Sequence, residues 1–544
     1  MQTLNNSQAQ SKALKHTSKS SHSPILLISS CLVLSLSGCS MLPKQQPVPA
    51  QYAFDINTDG TTLSKIVTPL KTQNPELTGY HILYEPLEAI AARLQLIDKA
   101  EKTLDLQYYI WDNDKVGALA LDGIIRAADR GVKVRLLIDD NNSKKMQGIY
   151  LALDQHANIE VRLFNPYRFR YMRTLDIALD LKRINRRMHN KSFIVDNQVA
   201  LIGGRNMSNQ YYNVSDNYQF SDVDVMLVGS ASDEIIHSFD EYWNDDYAYP
   251  VVNLIDPKKY RLDFYNLKQQ VADHSQLASV QNFLDLTARA DAFEQWLQND
   301  IQLNWVEASV VKDPPNKIKS LANKDEYLYA QLAEQLTDPE HSVDIISAYF
   351  VPQKNGAQLL KDLSDDGVKV RVLTNSYQAN DVGLVHAFYA KYRHDLLKND
   401  VELYEFLSTP EFKNLNKNTD EISKKSDVSL KGLSRSSLHA KIMALDEKQV
   451  FVGSFNFDPR SLKYNSEIGV VLNSPNLARA VHQTMDQNLS KYAYKLVLNA
   501  NDKINWQLKN SQGETKIFTK EPKIKWWQKA GLKVISWLPL EDLM

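Results

Sequence analysis

Histidine and lysine recur two positions apart at two places in this 544-residue chain. The first stretch reads His189-x-Lys191-x4-Asp196-x6-Gly203-Gly204-x-Asn206, and the second His439-x-Lys441-x4-Asp446-x6-Gly453-Ser454-x-Asn456. An imidazole can attack phosphorus or carry a proton, and an ammonium beside it can neutralise the charge that a phosphodiester gathers as it reacts. One copy holds one nucleophile and one cation. Two copies also hold a separate acid for the leaving group, so the pattern points to phosphodiester chemistry that needs neither a metal nor a cofactor. A lone His near a Lys is commonly just a solvated pair, but identical internal spacing in a second copy argues for a shared task.

Each copy reads as a hairpin. Ser192 to Val195 and Val199 to Ile202 are β-prone runs parted by Asp196-Asn197, and Ile442 to Leu445 and Val450 to Val452 flank Asp446-Glu447 in the same way. Residues i and i+2 of a strand share a face, so His189 and Lys191 project together, as do His439 and Lys441. The Gly203-Gly204 and Gly453-Ser454 pairs would let backbone N–H groups approach an anion, with Asn206 and Asn456 adding amide donors. The repetition reaches further upstream. Gly131-Val-Lys-Val-Arg-Leu-Leu137 matches Gly367-Val-Lys-Val-Arg-Val-Leu373, each Gly placed where a helix ends and a buried strand begins. Helical patterns at Val116 to Ala128 and Gly356 to Leu363 precede these, and Lys102 to Trp111 and Ser342 to Val351 pair as an earlier strand. The economical architecture is α/β, a sandwich of two related lobes.

Both copies match the H-x-K-x4-D motif of the phospholipase D superfamily, which the chain resembles from about Tyr80 to Tyr494. Leu106-Gln107-Tyr108-Tyr109-Ile110-Trp111, Phe164-Asn165-Pro166, Arg187-Met188-His189-Asn190-Lys191 and the terminal Ser536-Trp537-Leu538-Pro539 look like bacterial cardiolipin synthases of the C type. The resemblance implies two duplicated phospholipase D-like α/β sandwich lobes with the active site at their pseudo-twofold interface. It implies that one histidine, taken as His189, forms a phosphohistidine while His439 acts as acid and then base, the near-symmetric settings leaving this order reversible. Lys191, Lys441, Asn206 and Asn456 would face the non-bridging oxygens. A nucleophilic imidazole needs an acceptor behind it, and Asp222 and Glu467 follow the two motifs at comparable positions. In the family such acids reach the histidine of the opposite lobe, while the residues at Asp196 and Asp446 are structural. Gly204 stands where the second copy has Ser454, which makes the half-sites unequal.

The remaining sequence places the chemistry. Residues 80–250 and 326–495 are read as the lobes, 251–325 as a helical connector, and 496–544 as an extension with a basic amphipathic helix. Residues 1–38 resemble a lipoprotein signal peptide whose apolar core, Ile25 to Leu36, ends in Leu36-Ser37-Gly38-Cys39. Cys39 would be the lipidated residue, residues 39–79 a linker and extension, and the setting the periplasm-facing bacterial envelope, at the inner or the outer membrane. An uncleaved anchor or a misplaced start codon is the alternative. Between Pro522 and Pro539, Ile524, Trp527, Gly531, Val534, Ile535 and Leu538 follow helical spacing beside Lys525, Lys529 and Lys533, which suits either a bilayer surface or the protein's own core. Residues 409–432 read as a polar loop. A net charge of −2, about −5 without the three leader lysines, offers no basic excess for nucleic acid. The expected partners are phospholipid substrates and a membrane surface, with both half-sites in one chain and hence activity as a monomer. Transfer to a second phospholipid is the leading expectation, hydrolysis to phosphatidic acid the second, and a nuclease or non-catalytic binding protein the third.

Overall fold

The computed structural model describes residues 42, 45, 47–214, 219–289, 303–408, 436–487, 489–509 and 513–543. The apolar leader, Cys39 and the polar stretch 409–432 lie outside them. In the first half the strands are β1 (Thr78–Leu83), β2 (Thr103–Tyr108), β3 (Lys133–Asp139), β4 (Ile159–Phe164), β5 (Ser192–Val195), β6 (Val199–Gly203), β7 (Gln219–Ser221), β8 (Asp224–Gly229), β9 (Ala248–Pro250) and β10 (Asn304–Val306). The second half contributes β11 (Ala308–Lys312), β12 (Ser342–Ser347), β13 (Lys369–Asn375), β14 (Glu402–Phe406), β15 (Ser436–Leu438), β16 (Lys441–Leu445), β17 (Gln449–Gly453), β18 (Ile468–Leu472), β19 (Ala493–Leu498), β20 (Ile504–Lys509) and β21 (Thr515–Phe518). They form one sheet ordered β10-β1-β8-β6-β5-β2-β3-β4-β9 and another ordered β11-β18-β17-β16-β12-β13-β14-β19-β20-β21. The run β8-β6-β5-β2-β3-β4 recurs as β18-β17-β16-β12-β13-β14, with the same antiparallel and parallel pairings, so the sequence repeat is a repeat of topology.

Local rules explain why both halves fold alike. Asp196-Asn197 and Asp446-Glu447 all have φ between +48° and +53°, as the two central residues of a tight hairpin turn require. Asp196 then accepts the backbone N–H groups of Glu101, Lys102 and Thr103, and Asp446 those of Glu340, His341 and Ser342. Each aspartate therefore pins its hairpin to the start of the neighbouring strand, β2 or β12. Gly131 (φ +97°) and Gly367 (φ +87°) end helices Lys115–Asp129 and Gln353–Asp365 in the left-handed conformation that a glycine adopts without strain. The arginine of each repeat makes a buried two-pronged pair, Arg135 with Asp105 and Arg371 with Asp344, which ties β3 to β2 and β13 to β12.

Helices cover the outer side of each sheet, and the inner sides share a core. Ile194, Ile202 and Val225 of the first sheet pack in one cluster with Ala444, Val452 and Val470 of the second. Burial on both faces explains why these strands are apolar without alternation. The connector is only partly helical. Helices Phe264–Ser275 and Ala278–Arg289 are present, but β10 pairs with β1 and β11 with β18, and Glu307 alone separates the two strands. The chain thus crosses from one sheet to the other within a residue. The basic C-terminal helix spans Trp526–Ser536 and packs on helix Gly383–Tyr389 while leaving Trp526 and Trp527 exposed.

Candidate active site

The lobes meet along two short backbone seams, and each seam delivers a histidine to an acid. Strand β7 pairs in parallel with β15, so that the N–H of His439 donates to the carbonyl of Ser221, next to Asp222. On the other side Met188 bridges to Ser466, and the N–H of His189 donates to the carbonyl of Ser466, next to Glu467. The side chains follow. His189 Nδ1 lies 2.8 Å from Glu467 Oε2, and His439 Nδ1 lies 2.6 Å from Asp222 Oδ2. Each histidine is therefore oriented by the lobe it does not belong to, as the resemblance implied. With Nδ1 committed to a carboxylate, Nε2 of each ring is the nitrogen left for chemistry.

Lysines sit against the same strands. Lys191 Nζ donates to the carbonyl of His189, and Lys441 Nζ to that of His439. Lys441 Nζ is also 2.9 Å from His439 Nδ1, but the proton shared with Asp222 occupies that nitrogen. Burial pushes Lys191 down to about 7, with Lys441 adding repulsion, and lowers Lys441 itself. An incoming phosphate anion would relieve both lysines. Burial likewise lowers His189 well below its ordinary value, helped by Lys191, Lys441 and Arg460. His439 falls to about 4 through burial and Lys441, although Asp222 opposes the shift. Both rings are thus neutral near pH 7.

The two acids differ. Burial alone would raise Asp222, but its contact with His439, together with Lys441 and Arg205, holds the carboxyl well below its usual range. Glu467 is raised by burial, with Lys191 and the hydroxyl of Ser454 only partly opposing. Ser454 Oγ donates to Glu467 Oε2 at 2.5 Å and Ser461 Oγ to Oε1 at 2.9 Å. At the matching position, a Cβ on Gly204 would stand 2.2 Å from Asp222 Oδ1. The shorter aspartate draws the backbone in until only glycine fits. The longer glutamate leaves room for a serine that then solvates it.

The residues expected to hold phosphate are partly engaged within the protein. Gly204 N donates to Val223 O, Ser454 N to Ile468 O, and the missing side chain of Gly203 makes room for Asp224 and Val223. Gly203 and Ser454 therefore serve strand packing and the acid rather than an open anion cradle. Asn206 gives its carbonyl to Ile110 N and one amide hydrogen to Tyr211, whereas the carbonyl of Asn456 is buried with no partner among the described residues. Sequence reasoning missed the rings around the histidines. Tyr109 stands edge-on to His189 at 5.1 Å, and Tyr211 and Phe220 flank His439 at 5.2 and 4.7 Å. It also missed the clamps behind the acids: Arg205 donates to the Asp222 carbonyl, and Asp313, paired with Lys317, donates its N–H to the Glu467 carbonyl and accepts the Glu467 N–H at its carboxylate. The Asp-x3-Lys spacing of the latter was its one visible signal. A cavity of ≈ 630 Å³ lined by Gln51, Asp105, Arg135 and His156 lies at the opposite, starting ends of β2 to β4 and takes no part.

Two neutral imidazoles on carboxylates, two buried lysines and an aromatic wall are the groups that a phosphodiester-transfer enzyme needs. Residues 94–243 and 332–489 match the family model described as "Cardiolipin synthase, PLD-like domain". The chain is 38% identical over 483 residues to cardiolipin synthase C of Escherichia coli (strain K12), spanning 89% of this chain and 99% of that one. It is 22% identical to the major cardiolipin synthase ClsA of Bacillus subtilis (strain 168), over 73% of this chain and 67% of that one. Among solved structures, phosphatidylserine synthase of Haemophilus influenzae Rd KW20 is similar at a TM-score of 0.49 and 13% identity, over 88% of this chain and all of that one. The chain belongs to the phospholipase D superfamily, in the cardiolipin synthase family that this model describes.

Proposed function

We propose that this enzyme transfers a phosphatidyl group from phosphatidylglycerol to the hydroxyl of a second phospholipid, forming cardiolipin or a relative of it. His189 Nε2 attacks phosphorus while the P–O bond to the headgroup glycerol breaks, and His439 gives that oxygen its proton. His439 then takes the proton of the acceptor hydroxyl, whose oxygen attacks phosphorus and releases His189. His439 is neutral at rest, so its Nε2 first takes a proton from water and only then acts as acid. The strongly ionised Asp222 behind it suits the ring that carries a proton through the cycle. The raised Glu467 suits a ring that stays neutral until it attacks. Lys191, Lys441 and the amides of Asn206 and Asn456 neutralise the phosphoryl oxygens.

The observation that carries this reading is the crossed pairing of His189 with Glu467 and His439 with Asp222. Low exposure of both rings and the aromatic walls favour a lipid hydroxyl over water as acceptor. Anchoring through Cys39 in the bacterial envelope, facing the periplasm, is part of the proposal, supported by the Leu36-Ser37-Gly38-Cys39 box. Among the described residues no helix is long and apolar enough to cross a membrane. Both half-sites lie in one chain, which favours a working monomer. The test is incubation with phosphatidylglycerol, with and without phosphatidylethanolamine, in the presence of a chelator. Cardiolipin and free glycerol are expected; phosphatidic acid as the sole product would make the enzyme a hydrolase.

A further inference from the structure

Large apolar side chains are exposed at two places that the reaction does not use, and both lie beside the mouth of the site. The first is helix Arg173–Ile184, inserted between β4 and His189. Ile177, Leu179 and Leu181 on it are 43–48% exposed, and Tyr171 and Met172 just before it are more so. Its root is fastened to the catalytic centre. Arg173 Nη1 donates to the carbonyls of Asp140 and Asn141, and the amide of Asn141 holds the hydroxyl of Tyr109, which packs on His189.

The second is helix Trp526–Ser536, where Trp526 is 83%, Val534 57% and the following Trp537 72% exposed. It rests on helix Gly383–Tyr389, which follows the C-terminal end of β13 as Asp140 and Asn141 follow that of β3. Those strand ends carry the site. The two patches are linked across it, since Arg460 binds Asn185 at the foot of the first helix and Lys463, three residues on, binds Asp542 beyond the second.

The acids around these patches are buried or paired, Asp542 with Lys463 and Glu541 with Lys391, and the charge left on the two helices is basic. Lys525, Lys529 and Lys533 are exposed, and no acid occurs between Pro522 and Leu540. On the first helix Lys182 is exposed, Asp176 is buried and Asp180 is paired with Arg183. We propose that the two helices form a single docking face for an anionic bilayer, one from each lobe, with the catalytic gap between them. Lysines at headgroup level and tryptophans at the acyl boundary are what such a surface binds, whereas a protein interface tends to shed lysine from its core. The phospholipid would then reach the histidines from the leaflet without crossing water. This deepens the phospholipid reading above and rests on it.

The experiment compares two substrates for the full chain, dihexanoyl phosphatidylglycerol as dispersed monomers and long-chain phosphatidylglycerol in vesicles. Ile177→Asp with Leu181→Asp, and separately Trp526→Asp with Trp527→Asp, should lower vesicle turnover by about tenfold or more and leave monomer turnover unchanged. Leu359→Asp, on an exposed outer helix, should alter neither. The full-length Cys39→Ser chain should sediment with phosphatidylglycerol vesicles, not with phosphatidylcholine vesicles, and lose this with either double substitution. Equal loss on both substrates, or vesicle turnover untouched, overturns the docking face. Absence of turnover on either lipid by the wild type would instead sink the phospholipid reading. Dimerisation that the substitutions abolish, without vesicle binding, would assign the face to a second copy of the chain.

Discussion

At the scale of single residues, the two half-sites are alike in plan and unlike in one detail that decides their chemistry. Gly204 and Ser454 occupy equivalent places, and the acid beside each sets which residue can stand there. Gly204→Ser should push Asp222 off His439 and lower kcat by about a hundredfold, the scale expected when a catalytic group shifts by an ångström. Ser454→Gly should cost less, because Ser461 still holds Glu467. Steady-state kinetics on both variants checks this, and equal effects would contradict the steric account. The histidines also set an acid limit on stability. His439 stays neutral in the fold down to about 4 against an ordinary value of 6.5, so within that window the unfolded chain binds a proton that the fold refuses. The share of stability that depends on a neutral His439 is then whole above pH 6.5 and is lost as pH falls towards 4, with His189 adding the same sign. Asp222 adds a further loss only below its ordinary value of 3.8. Between pH 7 and pH 4.5 the wild-type chain should lose more melting temperature, or gain less, than the His439→Ala chain; an identical pH dependence of the two would refute it.

At the scale of elements, the hairpins are the devices that place His and Lys, and their aspartates act on the backbone rather than on substrate. Asp196→Ala and Asp446→Ala each strand three backbone N–H groups and should cost about 3 kcal/mol in urea unfolding while activity per folded molecule persists. Loss of kcat at unchanged stability would return these residues to the chemistry. The hairpins, the glycine-ended helices and the buried strands were legible because short-range rules govern them, and the doubled motif let each copy check the other. Strands β10 and β11 were not legible. Their eight residues, Asn304–Val306 and Ala308–Lys312, are held by edge pairing with distant strands, which leaves no local period to read. The aromatic residues around the histidines escaped for a similar reason, since Tyr109 reads as one more strand residue until His189 is folded against it. Ser461 and Arg205 act through partners 6 and 17 residues away, and nothing in their immediate sequence marks them.

At the scale of the whole molecule, duplication is what makes the site. Neither lobe orients its own histidine: the acid for His189 comes from the second lobe and the acid for His439 from the first. The shared apolar core and the two backbone seams hold these pairs in register, so docking of the lobes and assembly of the catalytic groups are one event. On the mechanism proposed above, the inequality of the acids separates the roles, with His189 attacking and His439 moving protons. That division is tested most directly by incubating the His439→Ala and His189→Ala chains with phosphatidylglycerol, quenching, and mapping adducts by mass spectrometry. A phosphatidyl group is expected on His189 in the His439→Ala chain and no adduct in the other. An adduct on His439 in the His189→Ala chain, with none on His189 in its counterpart, would contradict it.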